Sequence, residues 1–169
     1  MDKEKFYDVD YVFNAYRAET HPVGSADTLR HIMAQLPTDR TRLRQLKNLG
    51  ELPAVTWCAS FSDHRRHLAS AQSSGLFCQD IDHVGPARQY YQQHFAGRED
   101  ELDILLAHIS PGGEGLHVVA LCQPQFSTIA QNQAWLAGET GTTYDAQCHD
   151  LSRMFYLSTA EDILFNDLF

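Results

Sequence analysis

The chain has 169 residues, a length that fits one domain with a sizeable core. Hydrophobic residues make up 43% of it and charged residues 21%, which is ordinary for a soluble globular protein, and no apolar run is long enough to span a bilayer. The formal net charge of −9 argues against a protein that coats nucleic acid through bulk electrostatics, but not against an enzyme with a local basic strip and a metal ion.

The cysteines and the N-terminal residues indicate the cellular compartment of the protein. The cysteines are scattered with no CxxC pair, which favours reduced thiols and argues against a zinc ribbon or a disulfide framework. They are Cys58, Cys78, Cys122 and Cys148. Cys148 and the adjacent His149 lack partners at metal-ligand spacing and are interpreted as incidental. The opening residues MDKEKFYDVDYVF are charged and lack an apolar signal core, so we expect a cytoplasmic protein with no membrane partner, folded as a single domain over residues 1–169.

Two helices are predicted early in the chain. The stretch DYVFNAY is compatible with a strand or with the start of a helix. SADTLRHIMAQL predicts a helix with Ser25 or Asp27 as N-cap, an apolar stripe on one face, and Pro37 just after its end. TDRTRLRQLKNLG predicts a second helix, which is capped by a threonine or an aspartate and ended by a glycine.

Strands and helices then alternate along the chain. LPAVTWCASF predicts a strand, SDHRRHLASAQ a helix, and GLFCQDID a strand whose apolar run indicates a buried, central position. The elements predicted after it are a helix (GPARQYYQQHFAG), two strands (LDILLAHIS and LHVVALC) joined by the turn PGGEG, a helix (QFSTIAQNQAWLAG), a short strand and turn (TTYDAQCHD), and a last strand (SRMFYLS). This order indicates an α+β fold, an α/β sandwich, with a mixed β-sheet flanked by helices.

An acidic pair ends the strand predicted for GLFCQDID. Side chains alternate along a strand, so Asp80 and Asp82 are expected on the same face. Two carboxylates on one face repel each other unless something positive sits between them, and a divalent cation would serve. The alternative is a strand end that runs into a polar turn, where aspartate is common.

A glycine-rich turn, SPGGEGLHVV, is predicted at the tip of a hairpin. Its glycines, Gly112, Gly113 and Gly115, allow a tight turn with uncovered amides, which forms an anion-binding concavity. Ser110 adds a hydroxyl donor, and His117 on the returning strand could donate a hydrogen bond to a phosphate oxygen. The alternative is structural, because glycine-rich hairpin tips are common and a lone histidine on a strand more often has a structural role.

The segment TTYDAQCHDLSR carries a further acid and a cation. Asp145 ends a short β-type run and could complete a metal site made of three carboxylates. Arg153 either pairs locally with Asp150 across a turn or enters the cleft and holds a phosphate, which its planar guanidinium suits.

Basic residues are concentrated in DRTRLRQLK, whereas the acidic excess lies elsewhere. The strip consists of Arg40, Arg42, Arg44 and Lys47. A run of charge is usually a solvated face. A strip of this kind could instead bind nucleic acid by holding the phosphate backbone of a template strand.

Taken in chain order, these segments resemble the motifs of the archaeo-eukaryotic primase superfamily. There an hhhDhD strand is followed by a Ser-x-His-type hairpin and by a hydrophobic-Asp strand. The sequence is more closely similar to the VirE N-terminal family, a primase-polymerase-like branch from bacterial mobile elements. The phrases that carry this similarity are LPAVTWCASF, GLFCQDIDHVG, HISPGGEGLHVVA and YDAQCHDLSRMFYLS, and it spans roughly residues 40–160.

The resemblance implies a role for each matched residue. The catalytic, metal-binding carboxylates are Asp80, Asp82 and Asp145, with Mg²⁺ or Mn²⁺ as the ion. Ser110 and His117 match the second motif, whose histidine contacts the triphosphate of the incoming nucleotide, and Arg153 matches an arginine near the phosphates. The serine-to-histidine spacing is looser than in compact replicative primases, because Pro111 and an extra glycine intervene.

The implied reaction is nucleotidyl transfer to a primer by a DNA primase/polymerase-like domain of a mobile-element replication protein. Its partners would be a nucleoside triphosphate, a DNA template and primer, and a helicase, since relatives often continue into a helicase-type region. Three alternatives stay open: a non-catalytic nucleic-acid-binding or replication-scaffold module, a metal-dependent nuclease, and an ordinary core with solvated loop acids. A nuclease would normally add a catalytic lysine or glutamate close to the acidic pair, and none is convincing here.

Overall fold

The computed structural model describes residues 8–168; residues 1–7 and 169, which the single-domain prediction also covers, lie outside the described residues. In this part of the chain, no helix is both long and apolar enough to cross a membrane. Its α-helices are α1 (Ala26–Ala34), α2 (Arg40–Asn48), α3 (Ala87–His94) and α4 (Ile129–Thr140). Its strands are β1 (Asp10–Val12), β2 (His21–Pro22), β3 (Ala54–Thr56), β4 (Ala59–Phe61), β5 (Ala71–Ser73), β6 (Leu76–Ile81), β7 (Ile104–Ile109), β8 (Leu116–Leu121), β9 (Phe155–Tyr156) and β10 (Ile163–Asn166).

These four helices lie where the sequence predicts them, and capping side chains explain where three of them begin. The Ser25 hydroxyl accepts a hydrogen bond from the Thr28 amide at the start of α1, at 3.3 Å. Asp39 caps α2 in a similar way. At α4, Thr128 and Gln131 form a reciprocal capping box, which satisfies amides that the first helical turn would leave free.

The strands form three sheets, and the α+β class is confirmed. The main sheet has the order β10-β7-β8-β6, a second sheet has the order β2-β1-β3-β9, and β4 pairs with β5. All ladders within residues 8–168 are antiparallel, which differs from the mixed sheet expected from the sequence. The connection through α3 does leave β6 and β7 running in the same direction. They do not pair, because β8 lies between them and is antiparallel to both.

Both faces of the main sheet are covered, so its strands are apolar along most of their length. On one face, Cys78 and Val119 belong to a buried cluster with Val55 of β3 and apolar side chains of α1. On the other face, Phe77 and Val118 pack with the apolar sides of α3 and α4. The main sheet is therefore the middle layer of a sandwich.

Two segments differ from their predicted elements. LPAVTWCASF forms two short strands, β3 and β4, because a turn at residues 57–58 separates them. The helix predicted for SDHRRHLASAQ is wrong, since the segment contains turns, a 3₁₀ turn at Leu68–Ser70 and the start of β5. His64 has a left-handed φ of 57°, and Asp63 accepts a hydrogen bond from a nearby backbone amide instead of leaving it to a helix.

The strand β6 is buried, as predicted, but it lies at the end of the main sheet rather than at its centre. Its outer edge is covered in another way. The Asp145 amide donates to the Asp80 carbonyl at 2.8 Å, and Gln133 Nε2 donates to the Cys78 carbonyl at 3.0 Å. The loop and the side chain from α4 therefore donate hydrogen bonds to backbone carbonyls on this edge, as a neighbouring strand would. This cover explains why an edge strand has an apolar sequence. At the opposite edge, β10 is a strand that the sequence did not predict.

Candidate active site

Residues from all three candidate segments line one pocket with a volume of about 380 Å³. The predicted site residues on its wall are Asp80, Asp82, Ser110, His117, Asp145 and Arg153. Two glycines of the turn, Gly112 and Gly115, also line it. The fold thus brings together side chains that lie far apart in the sequence.

A carboxylate–thiol group forms the most closely spaced part of the pocket. One carboxylate oxygen from each of Asp80 and Asp145 and the sulfur of Cys148 lie within 4.8 Å of one another. Cys148 Sγ is 3.3 Å from Asp145 Oδ2 and 3.7 Å from Asp80 Oδ2. Asp82 lines the same pocket but stands outside this group.

Asp145 reaches Asp80 although no strand carries it, so the strand predicted for TTYDAQCHD is wrong. The Asp145 amide is bound to the edge of β6, and its carbonyl accepts a hydrogen bond from the Cys148 amide at 3.1 Å. This bond closes a turn that brings residues 145 and 148 together. A single backbone contact on a strand edge therefore positions the third carboxylate.

Asp80, His117 and His108 lie opposite one another on β6, β8 and β7. Asp80 Oδ1 is 3.5 Å from His117 Nε2, and the two histidine rings meet edge to face with centroids 5.0 Å apart. Burial acts to raise the pKa of Asp80, but the combined effect of His117, the Cys148 thiol and Lys47 lowers it. Burial, together with His117, lowers the pKa of His108 to about 3, so His108 is neutral at physiological pH.

The electrostatics of Asp82 are the opposite of those of Asp80. Partial burial raises the pKa of Asp82 and the charge of Asp80 raises it further, whereas His117 and His83 oppose this rise and Asp145 adds a smaller contribution to it. Repulsion between neighbouring carboxylates is relieved when a cation binds between them. A cation bound between the carboxylates would therefore stabilise the negative charge of Asp82, which its surroundings disfavour.

The turn at residues 110–115 is closed by its own backbone. The Ser110 amide donates to the Gly115 carbonyl and the Gly113 amide donates to the Ser110 carbonyl, both at 2.8 Å. The Gly113 amide is thus engaged within the turn, which corrects the expectation that all three glycines present uncovered amides. A Cβ at Gly115 would lie 2.5 Å from the Ile81 carbonyl oxygen and 3.4 Å from Asp82 Oδ1. Glycine at this position allows the turn to approach the acidic pair.

The basic strip on α2 supports this turn. Arg40 Nη1 lies 3.2 Å from the Ser110 carbonyl oxygen and 3.3 Å from that of Pro111, and its guanidinium forms an ion pair with Asp162 at 2.8 Å. Arg44 Nη2 donates to the Gly112 carbonyl at 2.8 Å. Both arginines therefore hold the turn through its carbonyls, and the expected template contact of Arg40 conflicts with these partners.

Removing the Arg40 guanidinium is expected to destabilise the fold. Asp162 is 5% exposed and accepts hydrogen bonds from Arg40 and Ser158, so Arg40→Ala leaves a buried carboxylate without its cation. We expect the free energy of unfolding to fall by about 2 kcal/mol, less than for a fully buried pair because the Arg40 side chain is 32% exposed. Chemical denaturation measures this loss, and Arg42→Ala on the exposed face of α2 is the control. Equal stability of the two variants would contradict the supporting role of Arg40.

Lys47 and Arg153 provide positive charge on the pocket wall. Lys47 Nζ lies 5.5 Å from the centroid of the Tyr156 ring. Arg153 pairs with Asp150 at 3.1 Å, donates to the Gln147 carbonyl at 3.0 Å, and also lines the pocket. Arg153 therefore forms the local ion pair and also lies on the wall of the cleft, and its contact with a phosphate stays a prediction.

Cys148 is a pocket residue that sequence reasoning missed, and the expectation that it lacks partners at metal-ligand spacing is wrong. Burial raises the pKa of its thiol to about 12, and the hydrogen bond to Asp145 adds to this effect. Gln133 Nε2 on α4 donates to the Cys148 carbonyl at 2.8 Å and fixes the loop. The usable signal was the spacing, since residues three apart come close together in a turn. His149 lies outside the pocket, with Nδ1 2.7 Å from the Ala146 carbonyl oxygen.

The oxygen donors of the pocket fit a divalent cation. Asp80 Oδ1 is buried and has no hydrogen-bond partner among the described residues. A buried carboxylate oxygen of this kind is costly unless a cation or a water satisfies it. Carboxylate oxygens are the ligands that Mg²⁺ and Mn²⁺ prefer, and Asp80, Asp82 and Asp145 supply them on one wall.

Comparisons with known proteins provide a family match and a structural likeness. A family model described as BT4734-like, N-terminal domain, matches residues 47–165. Among solved structures, the AEP domain of the primase-polymerase (PrimPol) of cyanophage S-2L is similar, with a TM-score of 0.44 and 15% sequence identity over 90% of this chain and 73% of that chain. No curated protein matches the sequence. The family match includes the acidic pair, the turn and Arg153.

Proposed function

This chain belongs to the BT4734-like N-terminal domain family, and we propose that its pocket carries out nucleotidyl transfer, adding nucleotides to a primer strand with Mg²⁺ or Mn²⁺. The domain would act in the replication protein of a bacterial mobile element. One observation carries the proposal: the acidic residues Asp80, Asp82 and Asp145 line the same pocket as the 110–115 turn and Arg153. Nucleotidyl transfer needs this combination of cation ligands and phosphate-binding groups.

The three carboxylates prepare the site for a primer end and a nucleotide. A divalent cation held by Asp80, Asp82 and Asp145 would supply Lewis acidity toward the primer 3′-hydroxyl and the α-phosphate. Asp80 is suited to remain ionised because His117, Cys148 and Lys47 lower its pKa against the effect of burial.

The turn and the side chain of Arg153 would bind the triphosphate. Ser110 Oγ and the amides of Gly112, Glu114 and Gly115 are suited to the β- and γ-phosphates. Arg153 would offset the charge that develops on the leaving pyrophosphate. His117, which the resemblance assigns to the triphosphate, also lies against Asp80 and is suited to orient that carboxylate.

The contacts of α2 reduce the number of its basic residues that could bind a template strand. Arg40 and Arg44 support the turn, so we assign them to the geometry of the triphosphate site rather than to a template strand. Arg42 is exposed and Lys47 lines the pocket, and these two residues are suited to hold a template phosphate near the primer end.

We further propose that the chain falls in the VirE N-terminal branch, acts in the cytoplasm on a DNA template and primer, and works beside a helicase. The support is the sequence similarity of GLFCQDIDHVG and of YDAQCHDLSRMFYLS to that branch. The sugar of the incoming nucleotide is decided by offering deoxyribonucleotides and ribonucleotides separately.

Primer extension tests the proposal. The metal-stripped 169-residue chain is given a primed template, a nucleotide mixture, and either Mg²⁺, Mn²⁺ or a chelator, and we expect product only with a metal. Asp145→Asn is expected to reduce extension on the order of 10²–10³-fold, because it removes a metal ligand beside the reacting phosphate. Asp27→Asn, an exposed residue of α1 that pairs with Arg30, serves as the control. Equal extension by Asp145→Asn and the control would overturn the assignment.

A non-catalytic nucleic-acid-binding or scaffold module is the second candidate. The engaged Gly113 amide and the loose spacing between Ser110 and His117 favour it, because both weaken the case for triphosphate binding. Fluorescence-polarisation titration of the same primed template, with and without Mn²⁺, separates the two functions. Tight binding without extension under any metal would support the module.

A further inference from the structure

We propose that Cys148 is a metal ligand, and that Asp80, Asp145 and Cys148 together bind a transition-metal cation with affinity for sulfur, such as Zn²⁺ or Co²⁺. The inference rests on the proposed function for the location of the metal, and it adds a ligand and a metal class to it. An all-oxygen site favours Mg²⁺ or Mn²⁺, whereas a thiolate ligand favours zinc-like ions.

The ligand atoms already have the spacing of a coordination shell. Metal bonds of about 2.0 Å to oxygen and 2.3 Å to sulfur place tetrahedral oxygen and sulfur ligands roughly 3.5 Å apart. Cys148 Sγ lies 3.3 Å from Asp145 Oδ2 and 3.7 Å from Asp80 Oδ2. A cation could therefore enter between these three atoms with little movement of the side chains.

A second observation does not depend on the thiol. His117 is 5% exposed, and its Nδ1 has no hydrogen-bond partner among residues 8–168. Its Nε2 is directed at Asp80 Oδ1, a buried oxygen that also has no hydrogen-bond partner in that part of the chain, at a distance of 3.5 Å. The imidazole thus packs against the second oxygen of the Asp80 carboxylate, while its nitrogens lie outside the three-atom group. Two oxygens and one sulfur, with water at the open fourth position, are a donor set that suits tetrahedral Zn²⁺.

The backbone holds the sulfur in place before any metal arrives. The Cys148 amide donates to the Asp145 carbonyl at 3.1 Å, and Gln133 Nε2 bridges the carbonyls of Cys148 and Cys78 at 2.8 Å and 3.0 Å. Cys148 is 6% exposed, so its side chain has little freedom to turn away. On coordination the thiol proton leaves to solvent as the sulfur–metal bond forms, and the charge of the thiolate is taken up by the cation.

Cobalt absorption tests the inference on the whole chain. Co²⁺ is titrated into the metal-stripped protein, and a thiolate-to-Co²⁺ charge-transfer band in the near ultraviolet reports sulfur ligation. We expect the band in the wild type and in Cys122→Ser, a cysteine outside the cluster, and we expect it to be absent in Cys148→Ser. Competition with Zn²⁺ should show at least a tenfold loss of affinity in Cys148→Ser, the size typical of a weakened metal shell. A wild-type protein without the band, or a band that survives in Cys148→Ser, would overturn the inference.

A second measurement needs no variant and covers the case in which Cys148→Ser does not fold. The chemical shift of ¹¹³Cd bound to the wild-type protein distinguishes one sulfur ligand from an all-oxygen shell, and an all-oxygen shift would overturn the inference. The proposed function fails separately, through the primer-extension assay. Sulfur ligation without primer extension would support the Cys148 site and reject the polymerase function. Mg²⁺-dependent extension with an all-oxygen ¹¹³Cd shift would support the polymerase function and reject the Cys148 site.

Discussion

Asp80→Asn is expected to lower the melting temperature of the metal-free protein, whereas Asp82→Asn is expected to raise it. Against the effect of burial, His117, Cys148 and Lys47 lower the pKa of Asp80, so its negative charge stabilises the native state. Burial and the charge of Asp80 raise the pKa of Asp82, so its negative charge opposes folding when no cation is bound. Adjacent carboxylates that point into one pocket should therefore respond to the same substitution with opposite signs.

Both substitutions are expected to remove function. Each deletes a ligand for the cation, so primer extension should fall about 10³-fold, in line with the several kcal/mol that a catalytic metal contributes. The rise in melting temperature that Mn²⁺ gives the wild-type protein should be lost in both variants, because that rise measures binding to the native state. Asp82→Asn would then be a more stable protein with less activity.

The pH dependence of stability is expected to agree in sign with these changes in melting temperature. The lowered pKa of Asp80 means that its contribution to stability is present above the ordinary carboxylate pKa and is lost as the pH falls through the lowered value. The raised pKa of Asp82 means that its contribution is present below the ordinary value and is lost as the pH rises through the raised one. The gain in melting temperature from Asp82→Asn should therefore be largest near neutral pH and should shrink on acidification.

Thermal melting of the metal-free proteins at several pH values measures these effects, with Asp27→Asn as the control for a change at an exposed carboxylate. A shift of the same sign in Asp80→Asn and Asp82→Asn would contradict the electrostatic description of the pair. An unchanged Mn²⁺ response in either variant would remove that residue from the metal site.

The four helices of residues 8–168 were predictable from the sequence because their signals are local, but the same kind of signal also predicted a helix at SDHRRHLASAQ that does not form. Ser25, Asp39 and the Thr128–Gln131 box mark three of the helix starts within a single turn of the sequence. The pairing of strands is not local. In the main sheet, β8 lies between β6 and β7. Neither the hydrophobic pattern nor the alternation of strands and helices predicts which strand takes this middle position.

The candidate site also contains residues that the sequence could identify and residues that it could not. Aspartates, glycines and a histidine could be selected from the sequence because their chemistry suits cations and phosphates. The residues that support them could not be identified from the sequence. Arg40, for example, pairs with Asp162 and holds the 110–115 turn, and these three segments lie far apart in the sequence. Cys148 enters the site because the Asp145 amide binds the edge of β6, and a contact of that kind leaves no pattern in the sequence.

Gly115→Ala is expected to damage the site and the fold together. The added Cβ would lie 2.5 Å from the Ile81 carbonyl oxygen and 3.0 Å from Ser110 Oγ, so the turn must move away from the end of β6. Ile81 lies between the two acidic residues, and a carbonyl on a buried strand cannot yield as the end of a flexible side chain could. Overpacking of this kind costs about 3 kcal/mol, and it widens the distance between the metal ligands and the phosphate-binding turn. We expect a lower melting temperature and weaker nucleotide binding.

Gly112→Ala is the matched control for this effect. Gly112 lines the same pocket, but a Cβ there would meet no atom within 4 Å. Alanine keeps the backbone amide at both positions, so any contact of that amide with phosphate is preserved in both variants. Melting temperature and the affinity for a nucleoside triphosphate with Mn²⁺ should therefore be close to wild type in Gly112→Ala and reduced in Gly115→Ala. Equal behaviour of the two variants would show that the approach of the turn to β6 does not set the geometry of the site.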